Sequence, residues 1–392
     1  MNNIIVIGGG MVGSAMAIDL VQQHKVALAD MNLQRLNEIR ARVPALQILP
    51  LDVRDQAALR NTIQPFDLVV CAVPGFLGFD TLKTIISAGK PVVDISFFPE
   101  DALALDALAK QHGVTAIVDC GVAPGMDNIL LGRYNEILRL TDFECLVGGL
   151  PKVRKWPFSY KAPFSPVDVI EEYTRPARYV ENGQIIVREP LTDCEYIEFE
   201  KVGTLESFNT DGLRSILHTM SHIPNMKEKT LRYPDHVEYI RVLKESGFFS
   251  TQKINVQGNQ VSPLDVTSRI LFNEWKLGEQ EEEITVMRVT MKGYDDQDKL
   301  IKVEFNLYDE FNPVTRTSSM ARTTGYTATA AANLILEGGF NDKGVFPPEL
   351  IGKEERCFDF IINYLHQRDV NYTRQITLMN EGAVPSAHGL KI

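Results

Sequence analysis

The sequence predicts an α/β chain: a doubly wound parallel sheet joined to a second, α+β domain built on a mixed sheet. Three observations carry that reading. Over the first 120 or so residues, short apolar β-branched runs alternate with helical patterns, the rhythm of βαβ units. A glycine-rich turn, Gly8-Gly9-Gly10-Met11-Val12-Gly13, joins the first apolar run to the first helical one. From about Leu146 the rhythm changes, as Pro and aromatic residues accumulate (Pro151, Trp156, Pro157, Phe158, Tyr160, Pro163) and give way to polar and apolar alternation. Such alternation, in Tyr196-Ile-Glu-Phe-Glu and Lys302-Val-Glu-Phe-Asn-Leu, fits strands with one wet face.

Element by element, strands are expected at 4–7, 26–29, 68–72, 92–95 and 116–118, with a weaker one at 46–49. Helices are expected at 11–23, 55–63, 77–88 and 101–112, and Gly89 and Gly113 stand where a helix end favours glycine. A run of small residues from Gly325 to Leu336, closed by Gly338 and Gly339, reads as a helix able to lie close to another backbone, and we expect it to pack across the domain junction. The domain reading is then 1–124 for the first domain, completed by helices at 320–370, and 125–319 for the second. Residues 376–392 show no periodicity and are expected to form a tail.

Composition narrows the function. With 392 residues, 44% hydrophobic and 23% charged, the chain can bury two cores and is neither disordered nor a disulfide scaffold. A formal charge of −11 gives no basic field for nucleic acid or an anionic membrane, so neither is expected as a partner. Uncharged stretches such as the one from Leu68 to Phe79 are broken by Pro or Gly short of the ~20 residues a membrane span needs. Five scattered cysteines without CxxC spacing fit a reducing compartment, and with no leader pattern at Met-Asn-Asn-Ile a cytoplasmic location is expected.

The glycine turn holds the G-x-G-x-x-G pattern between a strand and a helix, with Asp30 at the end of the second strand, twenty residues after Gly10. In that setting it is the Rossmann-type dinucleotide fingerprint: Gly8 for the tight turn, Gly10 for approach of the diphosphate, Gly13 for close packing of helix on strand. The diphosphate would face the N–H groups of Met11 and Val12 at the helix start. Asp30 would accept hydrogen bonds from a ribose and repel a 2′-phosphate, so NAD is favoured over NADP, although Arg35 stands close by in sequence. Asp52 and Val53 would lie by the adenine. Ala72, Val73 and Pro74 would line the diphosphate and nicotinamide ribose, since ligands sit at the carboxyl ends of parallel strands.

Several segments resemble the saccharopine dehydrogenase-like family, most closely its L-lysine 6-dehydrogenase branch. They are Asp119-Cys-Gly-Val-Ala-Pro-Gly-Met, Gly148-Gly-Leu-Pro, Tyr160-Lys-Ala-Pro-Phe-Ser, Glu172-Tyr-Thr-Arg-Pro-Ala, Leu205-Glu-Ser-Phe-Asn-Thr-Asp-Gly-Leu, Met320-Ala-Arg-Thr-Thr-Gly-Tyr-Thr and Gly344-Val-Phe-Pro-Pro-Glu. Ala123 and Val147 depart from the saccharopine reductases, which usually carry an acidic residue and a cysteine there. The resemblance implies NAD-dependent oxidation of the lysine side-chain amine, release of ammonia and cyclisation of the aldehyde to a piperideine carboxylate. It also implies a homodimer or larger homo-oligomer taking a small amino-acid substrate. A saccharopine or carboxynorspermidine-type dehydrogenase is the alternative within the same chemistry, and a non-catalytic NAD-binding sensor the alternative outside it.

Taking hydride from a CH–NH group needs a neutral amine, whereas a free lysine ammonium has a pKa of about 10.4, so the site must take up a proton. Four positions are candidates. Asp94, ending the fifth strand, would face the nicotinamide, or cap the segment after it. Tyr160 would donate to substrate or relay a proton, or pack as an aromatic. Asp211 would hold the substrate α-ammonium, or serve a turn. Arg322 or Arg214 would clamp the α-carboxylate, or form a salt bridge. His218 and His222 are spaced i, i+4, but no third ligand accompanies them and no metal is expected.

Overall fold

In a computed structural model, residues 1–163, 166–278 and 281–379 are described. The first stretch runs β1 (Asn3–Ile7), α1 (Met11–Leu20), β2 (Lys25–Asp30), α2 (Leu33–Arg42), β3 (Gln47–Pro50), α3 (Gln56–Ile63), β4 (Leu68–Cys71), α4 (Gly75–Ser87), β5 (Val92–Asp94), α5 (Asp106–Gln111), β6 (Thr115–Ile117) and α6 (Met126–Asn135). Next come β7 (Arg139–Pro151), α7 (Pro166–Thr174), β8 (Ala177–Glu181), β9 (Gln184–Arg188), β10 (Glu195–Phe199), β11 (Gly203–Asn209), α8 (Ile216–Thr219) and β12 (Asn225–Arg232). They are followed by α9 (His236–Glu245), β13 (Ile254–Val256), β14 (Asn259–Val261), α10 (Pro263–Trp275), β15 (Glu283–Tyr294) and β16 (Leu300–Glu310). The chain closes with α11 (Ser319–Leu336), β17 (Gly344–Phe346), α12 (Pro348–Gly352), α13 (Glu355–His366) and β18 (Tyr372–Leu378).

Two compact units share these elements. The first takes in residues 1–139, 214–219 and 320–371. Its seven strands are parallel in the order β17-β6-β5-β4-β1-β2-β3. The reversal of strand order between β1 and β4 makes the crevice where α/β sheets bind ligands. The strands are continuous apolar runs because helices cover both faces of the sheet: Ile5, Ile7, Val69, Cys71, Val92 and Ala116 lie in one core with Leu59, Ile63, Leu82, Ile85 and Ile86 of the helices. The expected elements are all present, the 101–112 segment as a 3₁₀ turn over Ala102–Leu105 leading into α5. Two are additional. α2 is polar on most of its surface and buries only Leu36 and Ile39, and β17 is three residues long.

The unit runs to Arg139 and not to 124, because α6 packs backbone to backbone on α12. A Cβ on Gly132 would stand 2.0 Å from the carbonyl oxygen of Glu349, and one on Gly352 would stand 2.1 Å from that of Ile129. The small-residue helix α11 finds its close partner in α1 of the same unit, where a Cβ on Gly325 would meet Met16 at 3.1 Å. A buried carboxylate fixes the arrangement: Asp19 of α1 accepts from Thr329 Oγ1 at 2.7 Å, Tyr364 Oη at 2.6 Å and Arg368 Nε at 2.7 Å.

The second unit, 140–213, 220–319 and 372 onward, is built on a mixed sheet in the order β10-β11-β12-β7-β15-β16-β18, with β8 and β9 hung on β12. β12 and β7 are parallel, while β10, β11, β15, β16 and β18 pair antiparallel. Alternation sends Leu146, Leu150, Leu205, Leu231 and Val286 into one core, and Phe208 into another, with Tyr160, Tyr173, Ile240, Leu271 and Trp275. β18 takes Ile376, Thr377 and Leu378 of the expected tail into the sheet, and 380–392 lies outside the described residues. No helix among the described residues is long and apolar enough to cross a membrane.

The contact of α6 with α12 yields a prediction. Gly132→Ala should cost about 2 kcal/mol or more, since the added methyl meets a carbonyl and not a movable side chain. Urea unfolding followed by circular dichroism checks it, and an unchanged midpoint would show that the helices part freely.

Candidate active site

The glycine turn sits at the carboxyl ends of β1, β2 and β4. Gly8 has φ +104°, and a Cβ there would stand 2.3 Å from the Ala72 carbonyl oxygen; one on Gly13 would stand 1.9 Å from the Gly8 oxygen. These two glycines are required by the protein's own packing. Gly10 is different, because a Cβ there would have no neighbour within 4 Å. It caps α1 without any side-chain bond to the first turn, where Met11 and Val12 begin the helix. Open space beside unsatisfied N–H groups at a helix start is what a diphosphate fits.

Asp30 ends β2 beside this turn. One carboxylate oxygen accepts from the Gly9 N–H at 2.6 Å and the other from the Asn32 N–H at 2.7 Å. Arg35 reaches back to the Gly9 carbonyl at 3.4 Å and pairs with Glu38 at 3.6 Å. Asp52, next to Val53 after β3, is held by Arg54 at 2.7 to 3.1 Å, and those hydrogen bonds draw its carboxyl down to about 2. After β4, Ala72 is half-buried and Val73 buried, while Pro74 is exposed and caps α4.

A second cluster lies at the ends of β5 and β6. Asp94 is fully buried and accepts from the Ser96 N–H at 2.9 Å and the Ser96 hydroxyl at 3.1 Å. Burial pushes its carboxyl up to about 7, against the pull of hydrogen bonds from Cys71 and Ser96 and with the charge of Asp119 adding to the rise. Asp119, two residues past β6, is buried and left-handed at φ 51°; its Oδ2 accepts from Arg214 Nε at 2.8 Å. Arg214, also left-handed at φ 46°, donates through Nη1 to the Phe98 carbonyl at 2.8 Å, and its guanidinium lies 4.7 Å from the Phe97 ring centroid. Two non-glycine residues held left-handed in one buried ion pair mark a place where surrounding structure over-determines the backbone.

Of the sequence candidates, Asp94 and Arg214 therefore come to one edge of the first unit, joined through Asp119, which the sequence reasoning did not single out. Its signal was present: it follows the sixth strand, at the edge where ligands sit, in the quoted Asp-Cys-Gly-Val-Ala-Pro-Gly segment. Arg322 is elsewhere in that unit. It is buried on α11 and donates to the carbonyls of Arg368 at 3.1 Å and Asp369 at 3.3 Å, just past α13. Those are the orphan carbonyls a helix end leaves to be satisfied.

In the second unit Asp211 faces Arg178, which binds both of its oxygens at 2.9 Å; the Arg178 N–H adds a third bond at 3.1 Å. An ammonium at Asp211 would have to share these oxygens with a guanidinium. Tyr160 is buried against Trp275 and His236, with Arg232 stacked over its ring at 4.4 Å and donating to its oxygen at 3.4 Å. Burial pushes the phenol well above its ordinary value, so it stays protonated. Arg232 also donates to Glu172 at 2.7 Å and to Tyr173 Oη at 3.3 Å. His236 joins the network: the ring nitrogen Nδ1 lies 2.9 Å from the Phe158 carbonyl oxygen, which can only accept, so that nitrogen donates and Nε2 accepts from Tyr173 Oη at 2.9 Å. Burial, followed by the Arg232 charge, pulls this imidazole down to about 3 and keeps it neutral. His218 and His222, spaced i, i+4 in the sequence, do not share a helix, since α8 ends at Thr219, before His222. Among the described residues no group of three or more His, Cys, Asp and Glu side chains is placed to hold a metal ion.

The chain can be compared with known proteins on this basis. The model of the saccharopine dehydrogenase NADP binding domain matches residues 4–117, and that of the saccharopine dehydrogenase C-terminal domain matches residues 121–370. A saccharopine dehydrogenase [NADP(+), L-glutamate-forming] of Pyricularia oryzae is 24% identical over 88% of this chain and 93% of its own length. A carboxyaminopropylagmatine dehydrogenase of Synechocystis sp. is 22% identical over 89% of this chain and 92% of its own. Among solved structures, the apo saccharopine dehydrogenase (L-Glu forming) of Saccharomyces cerevisiae superposes with a TM-score of 0.78 at 18% identity, covering 96% of this chain and 100% of that one, and so shares the fold. The glycine cradle thus belongs to a pyridine-nucleotide-binding domain, and the chain is a member of the saccharopine dehydrogenase family.

Proposed function

We propose that the protein is an NAD-dependent dehydrogenase that oxidises the side-chain amine of L-lysine, releasing ammonia. The observation that carries the reading is the buried Asp94 carboxyl, poised near neutrality beside the Asp119–Arg214 pair, on the carboxyl edge of the sheet whose glycine turn has room for a diphosphate. A bound nicotinamide would supply the hydride acceptor. The chain's own residues must do the rest. Gly10 and the N–H groups opening α1 would hold the diphosphate. Asp94 would take the proton that an alkylammonium must lose before its carbon can give up hydride, a task suited to a carboxyl that titrates near pH 7. Asp119 uses Arg214 Nε and Phe98 uses Nη1, so Nη2 is the donor directed to a substrate carboxylate. Water then adds to the imine carbon, and ammonia leaves.

NAD is favoured by Asp30. A 2′-phosphate beside a carboxylate fixed by two backbone N–H groups meets repulsion, and Arg35, the nearest cation in sequence, is turned to the Gly9 carbonyl and to Glu38. The side-chain amine of lysine is favoured by Ala123 and Val147, which stand where saccharopine reductases resembling this chain carry an acidic residue and a cysteine. Val147 lies on β7 opposite Thr230 of β12, a neutral and largely apolar position. The second reading, a dehydrogenase of saccharopine or of a carboxyalkyl polyamine, is supported by the names of the two relatives above.

Three experiments test these assignments. Purified protein given NAD and L-lysine should form NADH with one ammonia per turnover; saccharopine oxidised to an amino acid without ammonia would move the assignment to the second reading, and no NADH with any amine would end both. Asp94→Asn should lower kcat at least ~100-fold while NAD affinity stays within about twofold, because general-base catalysis contributes on this scale. Wild-type kcat should rise with pH through about 7, and the variant should lack that limb. A raised carboxyl also means that the folded state keeps its proton longer than the unfolded chain does. The Asp94 contribution to stability should therefore fall as pH climbs from about 4 to about 7 and level off above, and Asp94→Asn should make the measured slope shallower. Finally, Asp30→Ala with Met31→Arg should shift the kcat/KM ratio toward NADP by at least ~10-fold, on the scale of one charge reversal beside a phosphate. An unchanged ratio would remove the role given to Asp30.

A further inference from the structure

Gly9, the middle glycine of the turn, is held from both sides by residues of the βα unit that follows. Its N–H donates to Asp30 Oδ2 at 2.6 Å, and its carbonyl accepts from Arg35 Nε at 3.4 Å. Asp30 ends β2, and Arg35 stands in the first turn of α2, where its own N–H donates to the cap Asn32 at 3.0 Å. To reach Gly9 the arginine extends from the helix after β2 to the turn after β1, the neighbouring strand, and so along the carboxyl edge that Asp30 occupies. A carboxylate and a guanidinium thus share one glycine at the mouth of the nucleotide site.

The two are held for different tasks. Each Asp30 oxygen accepts one backbone N–H and keeps a lone pair for a ribose hydroxyl. Arg35 turns Nε to Gly9, while its Nη1 lies 3.6 Å from Glu38 Oε2, so donors that would grip a 2′-phosphate are turned to the protein and a carboxylate stands beside their charge. Both contacts run in the guanidinium plane. They fix the orientation of that plane and do not use its faces, which are suited to stacking on an aromatic ring. In a nucleotide whose ribose rests on Asp30, the base is bonded to the sugar carbon next to the one that carries the 2′-hydroxyl. The ligand's own covalent structure therefore brings its adenine to the neighbourhood of Arg35.

We propose that Arg35 is the adenine platform of the nucleotide site: the face of its guanidinium stacks on the base, held in place by Gly9 and Glu38. It is a binding residue that serves NAD and NADP alike, and the choice between them is left to Asp30. The inference rests on the ribose at Asp30 in the reading above and is independent of which amine is oxidised.

Isothermal titration calorimetry of the full chain with NAD and with NADP, in the absence of any amine, tests it. Arg35→Ala should weaken both nucleotides by the same factor, ~10-fold, the scale of one stacking face lost from a base. Arg35→Lys keeps the charge and loses the plane, so it should lose as much as the alanine variant with either nucleotide. Nicotinamide mononucleotide, which has no adenine, should bind the wild type and both variants equally. Steady-state kinetics should show the same split, with the KM for the nucleotide raised and kcat at saturation within about twofold of wild type, the mark of binding shared by ground and transition states. A loss confined to NADP, or recovered by lysine, would make Arg35 a ligand of the 2′-phosphate and overturn the proposal. So would an unchanged NAD affinity in Arg35→Ala, and so would an equal weakening of the mononucleotide, which would reduce the side chain to a brace on the glycine turn.

Discussion

A carboxylate withdrawn from water must find donors for its oxygens, and much of this molecule is arranged around that requirement. Asp19 collects three donors and fastens the last helices to the first. Glu349, fully buried on α12, accepts from Asn128 at 3.0 Å and Thr219 at 2.6 Å, and burial still raises its carboxyl. Asp119 takes Arg214, Asp211 takes Arg178, and Glu172 takes Arg232. Asp94, like Glu349, has no cation among its side-chain partners, which are a serine and a thiol, and its carboxyl rises to about 7, the middle of the working pH range. A buried carboxyl satisfied without a cation is thus left able to exchange a proton near neutrality.

The same requirement explains what could and could not be read from the sequence. The parallel sheet, its glycine turn and Asp30 were legible because each rests on local pattern: continuous apolar runs, glycines at fixed spacing, an acid at a strand end. Gly10 shows why the fingerprint carries information, since its missing side chain answers to no contact within the protein. The fate of the polar candidates was not legible. Asp211 and Arg322 are engaged by Arg178 and by the carbonyls past α13, 33 and 46 or 47 residues away, and Asp119 meets Arg214 across 95. Pairing over such distances leaves no periodic trace. Tyr160 was read with both a reactive and a packed role open, and in the network around it the phenol is packed against Trp275 while its oxygen accepts from Arg232. α2 and β17 escaped for a simpler reason, as one buries only two apolar side chains and the other is three residues long.

The second unit is organised differently from the first. The side of its sheet with α7, α9 and α10 carries a polar chain threaded through aromatic rings: Phe158 carbonyl, His236, Tyr173, Arg232, then Glu172 and Tyr160. Each member is hydrogen-bonded, and the guanidinium lies over aromatic faces as well as beside a carboxylate. A network of this kind fixes rotamers that apolar packing alone would leave free. It sets the 152–163 segment, which follows the Gly-Gly-Leu-Pro end of β7, firmly against its own domain.

Six residues, 214–219, leave the second unit's run of strands to serve the first. They bring Arg214 to Asp119 and Thr219 to Glu349, so two buried acids of the nucleotide domain take hydrogen-bond donors on loan from the middle of the other domain's sequence. The two halves are therefore not interchangeable modules. A gene fusion or deletion that kept residues 1–139 and 320–371 and exchanged everything between them would take Arg214 from Asp119 and leave Glu349 with Asn128 but without Thr219. Inheritance of this architecture must carry the short loan along with the lender, and a shuffled descendant could arise only from a donor gene that already encoded the matching six.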